Sequence, residues 1–125
     1  MILSSSPIPN STVTASHLAG RRTGSTFLDI ETGDGNDAVV IANVSVIDAA
    51  NIDTGGGTDS VAISKMNATA ILVSLEEGNY DTLAIANSTA EQARFDGGGN
   101  TVDTLVQSHN NFDLESHTNY QYVIG

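Results

Sequence analysis

A 22-residue internal repeat restricts the fold of this chain more than any other feature of its sequence. Its most regular member is an aspartate at constant spacing, and these four residues are called the aspartate column: Asp37, Asp59, Asp81 and Asp103. A branched aliphatic residue stands two positions after each of them: Val39, Val61, Leu83 and Leu105. A fixed period of this length indicates a solenoid, because one repeat cannot bury its apolar side until a neighbouring repeat stacks on it.

Apolar and polar residues alternate within each repeat, and this period of two predicts β-strands. The segment 28–31 reads LDIE before the first glycine-rich turn, and 50–53 reads ANID before the second. The equivalent segments of the third and fourth repeats align at 73–76 and 93–96, each shifted by one residue, and longer turns after them restore the period. A polar residue marks a corner later in each repeat: Asn43, Lys65, Asn87 and His109.

The predicted fold class is therefore all-β, a right-handed parallel β-helix with about four to five coils of 22 residues, one for each repeat. Residues 27–112 are expected to form the four-repeat solenoid, 1–26 an N-terminal arm or degenerate capping coil, and 113–125 a C-terminal capping strand. A solenoid end that stays uncovered is an exposed sheet edge, which predicts self-association through that end. Helix propensity is mild, and only residues 89–94 permit a short capping helix.

The charge balance limits the partners of the chain. Fifteen acidic residues against four lysines and arginines give a formal net charge of −11. Nucleic acid binding requires basic side chains that neutralise phosphates, so the chain is not expected to bind nucleic acid. No stretch approaches the roughly 20 apolar residues of a membrane-spanning helix, so membrane insertion is not expected either. The acidity favours a cation as partner, or serves only to keep the surface solvated.

Two segments around the glycine-rich turns share a nine-residue pattern. Residues 32–40 read TGDGNDAVV, and residues 54–62 read TGGGTDSVA. Except at the opening glycine, both resemble the RTX nonapeptide repeat G-G-x-G-x-D-x-U-x, a calcium-binding module of secreted bacterial proteins in which U is a large aliphatic residue. The resemblance implies an extracellular or cell-surface location in a bacterium.

The resemblance also implies bound calcium. Glycine permits the positive φ angles of such turns, and oxygen ligands suit a hard cation. The residues to which it assigns calcium are Asp37, Asp59, Asp34, Gly33, Gly35, Gly55 and Gly57. RTX arrays run nine residues directly into nine, whereas thirteen other residues follow each turn here, so the facing half-site is missing.

A structural role is the other interpretation of the aspartate column. Aspartate side chains at corners accept hydrogen bonds from backbone N–H groups. Carboxylates stacked about 5 Å apart repel one another by roughly 1 kcal/mol in water and by a few times more near a protein surface. The column therefore requires carboxyl groups that are hydrogen-bonded, partly protonated or bridged by cations.

Catalytic patterns are weak in this sequence. It has no cysteine, and its three histidines are not at metal-ligand spacing. We therefore expect a non-catalytic extracellular β-solenoid, a structural and binding module stabilised by calcium. The alternative is a fragment or relative of a polysaccharide-acting β-helix enzyme (lyase, epimerase or hydrolase), with polysaccharide as partner. In that case Asp37 and Asp59 are a candidate carboxylate pair, an analogy from fold alone.

Overall fold

The computed structural model describes residues 12–16, 27–99 and 102–125, and these residues form parallel strands and turns without a helix. The strands are β1 (Thr12–Ser16), β2 (Leu28–Glu31), β3 (Ala38–Ser45), β4 (Ala49–Asp53), β5 (Ser60–Ser74), β6 (Thr82–Ala86), β7 (Thr89–Asp96), β8 (Thr104–Ser108), β9 (Asn111–Thr118) and β10 (Tyr122–Ile124). Within these ranges, no helix is present that could cross a membrane.

Strands of successive repeats lie side by side, so that the chain winds into stacked coils. One series of paired strands runs β1-β3-β5-β6-β8-β10, and a second links β2, β4, β5, β7 and β9. Val39 pairs with Val61, Val61 with Leu83, and Leu83 with Leu105, always one repeat apart. The prediction of an all-β parallel solenoid of about four coils, each the length of one repeat, is confirmed.

The segment 89–94, where the sequence permitted a short capping helix, lies instead in strand β7. Ala90, Ala93 and Phe95 are buried, because they continue the inward-facing columns of the preceding coil. Burial against that coil outweighs a helix propensity that is worth only tenths of a kcal/mol per residue.

The strand register departs from the repeat period at three places. Ile52 pairs with Val73, a slip of one residue, and the carbonyl of Asp48 accepts hydrogen bonds from the N–H groups of both Thr69 and Ala70. Because of this bulge, residues 71–74 are the equivalent of 50–53, so the alignment of 73–76 with that segment was wrong. A longer turn before Asp81 restores the period.

The other two departures lie at the ends of the stack. Thr12 of β1 pairs with Ala38 of β3, a separation longer than the repeat, and Tyr122 of β10 pairs with Thr104 of β8, a separation shorter than the repeat. The terminal strands therefore belong to coils of irregular length. Residues 1–11 and 17–26 of the predicted arm or capping coil lie outside the described residues.

The core consists of aliphatic columns that run the length of the stack and end in polar residues. Ile41, Ile63 and Ile85 lie above one another and are at most 2% exposed. In the last coil, Gln107 takes the next place of this column. Gln107 donates a hydrogen bond of 2.6 Å to Glu115, which follows Ala93 in a further column. Polar side chains thus close the C-terminal end of the core.

The conformation of the backbone explains the polar corners that the sequence predicted. Each has a left-handed conformation, with φ angles between 53° and 57°: Asn43, Lys65, Asn87 and His109. Asparagine tolerates this region better than most residues. The next corner position joins coils through side chains, since the N–H of Met66 donates to Ser88 Oγ and the N–H of Ser88 to Asn110 Oδ1.

Candidate functional site

The aspartate column is a series of hydrogen bonds between coils. Oδ1 of Asp59 lies 2.8 Å from the backbone nitrogen of Asp37, and Oδ1 of Asp81 lies 2.7 Å from that of Asp59. Oδ1 of Asp103 lies 2.9 Å from the nitrogen of Asp81. Each side chain therefore accepts the N–H of the equivalent aspartate one coil earlier.

Gln121 ends this series. Its Oε1 accepts the N–H of Asp103 at 2.7 Å, in the place where a further aspartate would stand. The sequence analysis missed this residue because it lies in the shortened last coil, off the repeat period, and is not an aspartate. The strand register contains the signal: Gln121 precedes Tyr122 as Asp103 precedes Thr104, and Tyr122 pairs with Thr104.

Glycine-rich turns allow the coils to stack beside the aspartate column. Gly55 and Gly57 have φ angles of 75° and 147°. A Cβ atom on Gly57 would lie 1.6 Å from the carbonyl oxygen of Gly35, and one on Gly55 would lie 2.6 Å from that of Gly33. Both positions require glycine, because side chains would collide with the backbone of the preceding turn.

The carboxyl groups of the aspartate column are buried, with each residue at most 2% exposed. After Oδ1 has accepted its hydrogen bond, Oδ2 of Asp81 and Asp103 has no hydrogen-bond partner among the described residues. Burial and the carboxyl groups of Asp103 and Asp59 raise the pKa of Asp81 to about 6, against the hydrogen bond from the Asp59 N–H. Burial also raises the pKa of Asp59, against hydrogen bonds from the Asp37 N–H and the Thr54 side chain, and that of Asp103, against the hydrogen bond from the Asp81 N–H. Asp81 therefore keeps its proton to a higher pH than an exposed aspartate does.

Tyr120 extends this buried polar region. Its hydroxyl group is buried and has no hydrogen-bond partner in the described part of the chain. Burial raises the pKa of this hydroxyl, and the carboxyl groups of Asp96, Asp103 and Asp81 raise it further. Tyr120 therefore lies close enough to Asp81 and Asp103 for their charge to act on its hydroxyl group.

Two aspartates outside the column, Asp53 and Asp96, make the local turns that the sequence had suggested for the column aspartates. Asp53 Oδ1 accepts the N–H of Gly55 at 3.1 Å, and Asp96 Oδ1 accepts that of Gly98 at 3.0 Å. Burial acts to raise the pKa of Asp96, but hydrogen bonds from Gly98, Asn119 and Thr118 and the charge of Arg94 bring it below its ordinary value. Asp53 and Asp96 make local turns, whereas the column aspartates bridge coils.

The structure places the residues predicted to bind calcium in two environments. Asp37 and Asp59 are buried in the aspartate column, and Asp59 Oδ1 already accepts a backbone N–H. Asp34 is exposed on the first turn, and the glycines form the stacked turns. The described residues contain no cluster of three or more histidine, cysteine, aspartate or glutamate side chains that could hold a metal ion. Asp37 and Asp59 therefore lie in the hydrogen-bonded column, whereas Asp34 and the glycines lie in the turns beside it.

Carboxylates are concentrated on the surface beside these turns. The pKa of Glu76 is raised, first by the charge of Asp53, then by burial and by Asp34, Glu31 and Glu77. Glu76 and four further carboxyl groups therefore lie close enough here to act on one another.

Comparisons of the chain with protein families, with curated proteins and with solved structures found no match. The resemblance to RTX repeats consequently depends on the two nine-residue motifs at 32–40 and 54–62.

Proposed function

We propose that the chain is a non-catalytic structural and binding module, an extracellular β-solenoid in which the aspartate column joins successive coils. One observation carries this proposal: the side chains of Asp59, Asp81 and Asp103 each accept the backbone N–H of the preceding coil, at 2.7–2.9 Å. The repeated residue thus has a structural use at every position where its partner is described.

Burial of the column supports a non-catalytic role. Asp37 and Asp59, the carboxylate pair considered for a polysaccharide-acting enzyme, are each 2% exposed. A glycosidase requires two carboxyl groups that reach the glycosidic bond from opposite sides. A polymer on the surface of the solenoid does not reach these two side chains.

Self-association through a solenoid end is part of the proposal. Strand β9 pairs with β7, and its other edge faces no strand of the described residues. Leu114 in β9 is 69% exposed. A free edge with exposed apolar side chains supports pairing with another chain.

A comparison of variants tests the proposed function. Asp59→Ala removes a column acceptor, and Asp113→Ala removes an exposed aspartate of β9 as the matched control. We expect Asp59→Ala to lower the urea midpoint of unfolding and Asp113→Ala to leave it unchanged, with no cleavage of uronic acid polymers by the wild type. Polymer cleavage that is lost in a folded Asp59→Asn variant would overturn the proposal.

The resemblance to RTX repeats predicts bound calcium, and a separate experiment tests that prediction. Thermal unfolding is compared with added calcium and with chelator. A higher melting temperature in calcium, reversed by chelator and reduced by Asp34→Asn, would support stabilisation at the glycine-rich turns. An unchanged melting temperature would remove calcium from the proposal and leave the structural role of the column intact.

A further inference from the structure

The strand series β1-β3-β5-β6-β8-β10 turns one side to the core and the other to solvent. Val39 and Ile41 are buried, so Val40 between them points outward, and the strand register repeats this arrangement along the stack. The central outward column is Thr14, Val40, Ala62, Ala84, Val106 and Ile124. The columns on either side of it consist of alanine, serine and threonine, with Tyr122 in the last strand. This outward surface, called the uncharged face, therefore carries no acidic or basic residue in the described part of the chain.

The outward surface of the second strand series, β2, β4, β5, β7 and β9, is acidic by contrast. Next to Arg94 it carries the carboxylates of Asp29, Glu31, Asp53, Glu91 and Asp113. The whole chain has a formal net charge of −11. Two copies that met through this second surface would place carboxylates against carboxylates, which strongly opposes association. Of the two sheet surfaces, the uncharged face is therefore the one through which two copies can approach without opposing like charges.

The uncharged face is apolar along its centre and has a shallow depression. Val40 is 42% exposed and Ile124 is 57% exposed. The small side chains of Ala62 and Ala84, between Val40 and Val106, leave a cavity of about 170 Å³. A two-fold axis along the strand of Ala62 would set Val40 of each copy over Ala84 of the other, because the two residues lie one coil on either side of Ala62. Large side chains then meet small ones, as in packed sheets.

We propose that two copies of this chain associate face to face through the uncharged face. The face spans six strands and is about five residues wide, which gives about 24 Å by 15 Å from the strand spacing and the rise per residue. Two such faces bury on the order of 800–1,000 Å² of accessible surface in total, the size of a weak and reversible interface. The dimer therefore dissociates on dilution.

This surface is distinct from the solenoid end through which the proposed function has the chain self-associate. The uncharged face lies along the side of the stack, whereas the free edge of β9 lies at its C-terminal end. Charge changes at Ala62 and at Leu114 therefore act on different contacts, and the two modes of association can fail independently.

Sedimentation velocity over a range of concentrations tests the proposal with matched variants. Ala62→Glu adds a negative charge at an exposed position of the uncharged face, and Gln92→Glu adds the same charge at an exposed position of β7. We expect a wild-type dimer with a Kd between about 10 µM and 1 mM. Ala62→Glu should raise the Kd at least about tenfold, because two carboxylates would meet in the interface. Gln92→Glu and Leu114→Glu should leave the Kd unchanged.

The outcomes separate the two modes of association. A wild type that is monomeric at about 1 mM, or a folded Ala62→Glu variant with the wild-type Kd, would overturn the proposal. A dimer that is lost in Leu114→Glu and kept in Ala62→Glu would also overturn it, and would assign the association to the solenoid end.

Methyl NMR of the wild type gives an answer even if Ala62→Glu does not fold. On dilution, the methyl signals of Ala62, Ala84 and Val106 should shift, whereas those of Leu72, which follows Asn51 on the acidic surface, should not. Shifts confined to Leu72, or no shift at any of these methyl groups, would contradict the face-to-face dimer. Shifts of the Ala62 and Ala84 signals that appear with a soluble polysaccharide, and not with protein concentration, would assign the face to a polymer ligand instead of a second copy.

Discussion

The backbone N–H of Asp59 donates a 2.7 Å hydrogen bond to Oδ1 of Asp81, the equivalent residue one coil further along the chain. Strand pairing begins at the next residue, where Ser60 pairs with Thr82. At this corner the side chain therefore supplies an acceptor just before the regular ladder of backbone hydrogen bonds begins. The aspartates of the later coils supply the same acceptor to the N–H of the preceding coil.

Replacement of Asp81 separates its hydrogen bond from its charge. Asp81→Asn retains an acceptor for the Asp59 N–H, whereas Asp81→Ala leaves that N–H buried without a partner. We expect Asp81→Asn to be more stable than Asp81→Ala by about 1–3 kcal/mol in urea unfolding at pH 7. Equal free energies of unfolding for the two variants would show that the hydrogen bond contributes nothing.

Gln121 should matter although it lies outside the period of the repeat. Gln121→Ala removes the acceptor of the Asp103 N–H, and we expect a loss of about 1 kcal/mol in the free energy of unfolding. Gln92→Ala is the control, because Gln92 is an exposed strand residue. The role assigned to Gln121 fails if the two variants lose the same amount in urea titrations.

The glycines of the stacked turns differ sharply in their tolerance of a side chain. Gly57→Ala would place a Cβ 1.6 Å from the carbonyl oxygen of Gly35, on a residue with φ of 147°. We expect a loss of about 3 kcal/mol or more, or no folded protein. Gly99→Ala is the control, since a Cβ there meets no atom within 4 Å. Circular dichroism and urea unfolding of both variants measure the difference, and comparable stability would contradict the stacked geometry of the turns.

Lys65 is exposed and occupies a left-handed corner, with φ of 54°. Lys65→Asn should raise the free energy of unfolding by about 0.5–1 kcal/mol, because asparagine tolerates this conformation better. Lys65→Gln loses the same charge without that advantage, and we expect no gain from it. A gain shared by both variants would assign the effect to charge.

The sequence pattern predicted the coil because inward-facing residues recur at the same place in every repeat. It also located the aspartate column and the left-handed corners, since both lie within the repeat. It did not predict that Asp59 accepts the N–H of Asp37, because that bond joins residues a whole coil apart. The resemblance to RTX turns treats each aspartate within its own turn, and so it could not indicate that Asp59 bonds to the preceding coil.

The ends of the solenoid were harder to predict for a similar reason. β1 pairs at a longer separation than the repeat and β10 at a shorter one, so neither obeys the period. Glu115 and His117 occupy inward columns of the last coil, following Ala93 and Phe95, and no further coil in the described part of the chain covers them. Periodicity carries no information about a coil that has only one neighbour.

A carbon-13 NMR titration of the aspartate carboxyl groups in the wild type tests the central claim most directly. A buried, hydrogen-bonded column predicts a pKa of about 6 for Asp81 and raised values for Asp59 and Asp103. Asp96, which accepts hydrogen bonds from Gly98 and Asn119, should titrate below its ordinary range in the same experiment. An Asp81 carboxyl group that titrates at or below its ordinary value would show that these side chains do not lie inside the coil stack.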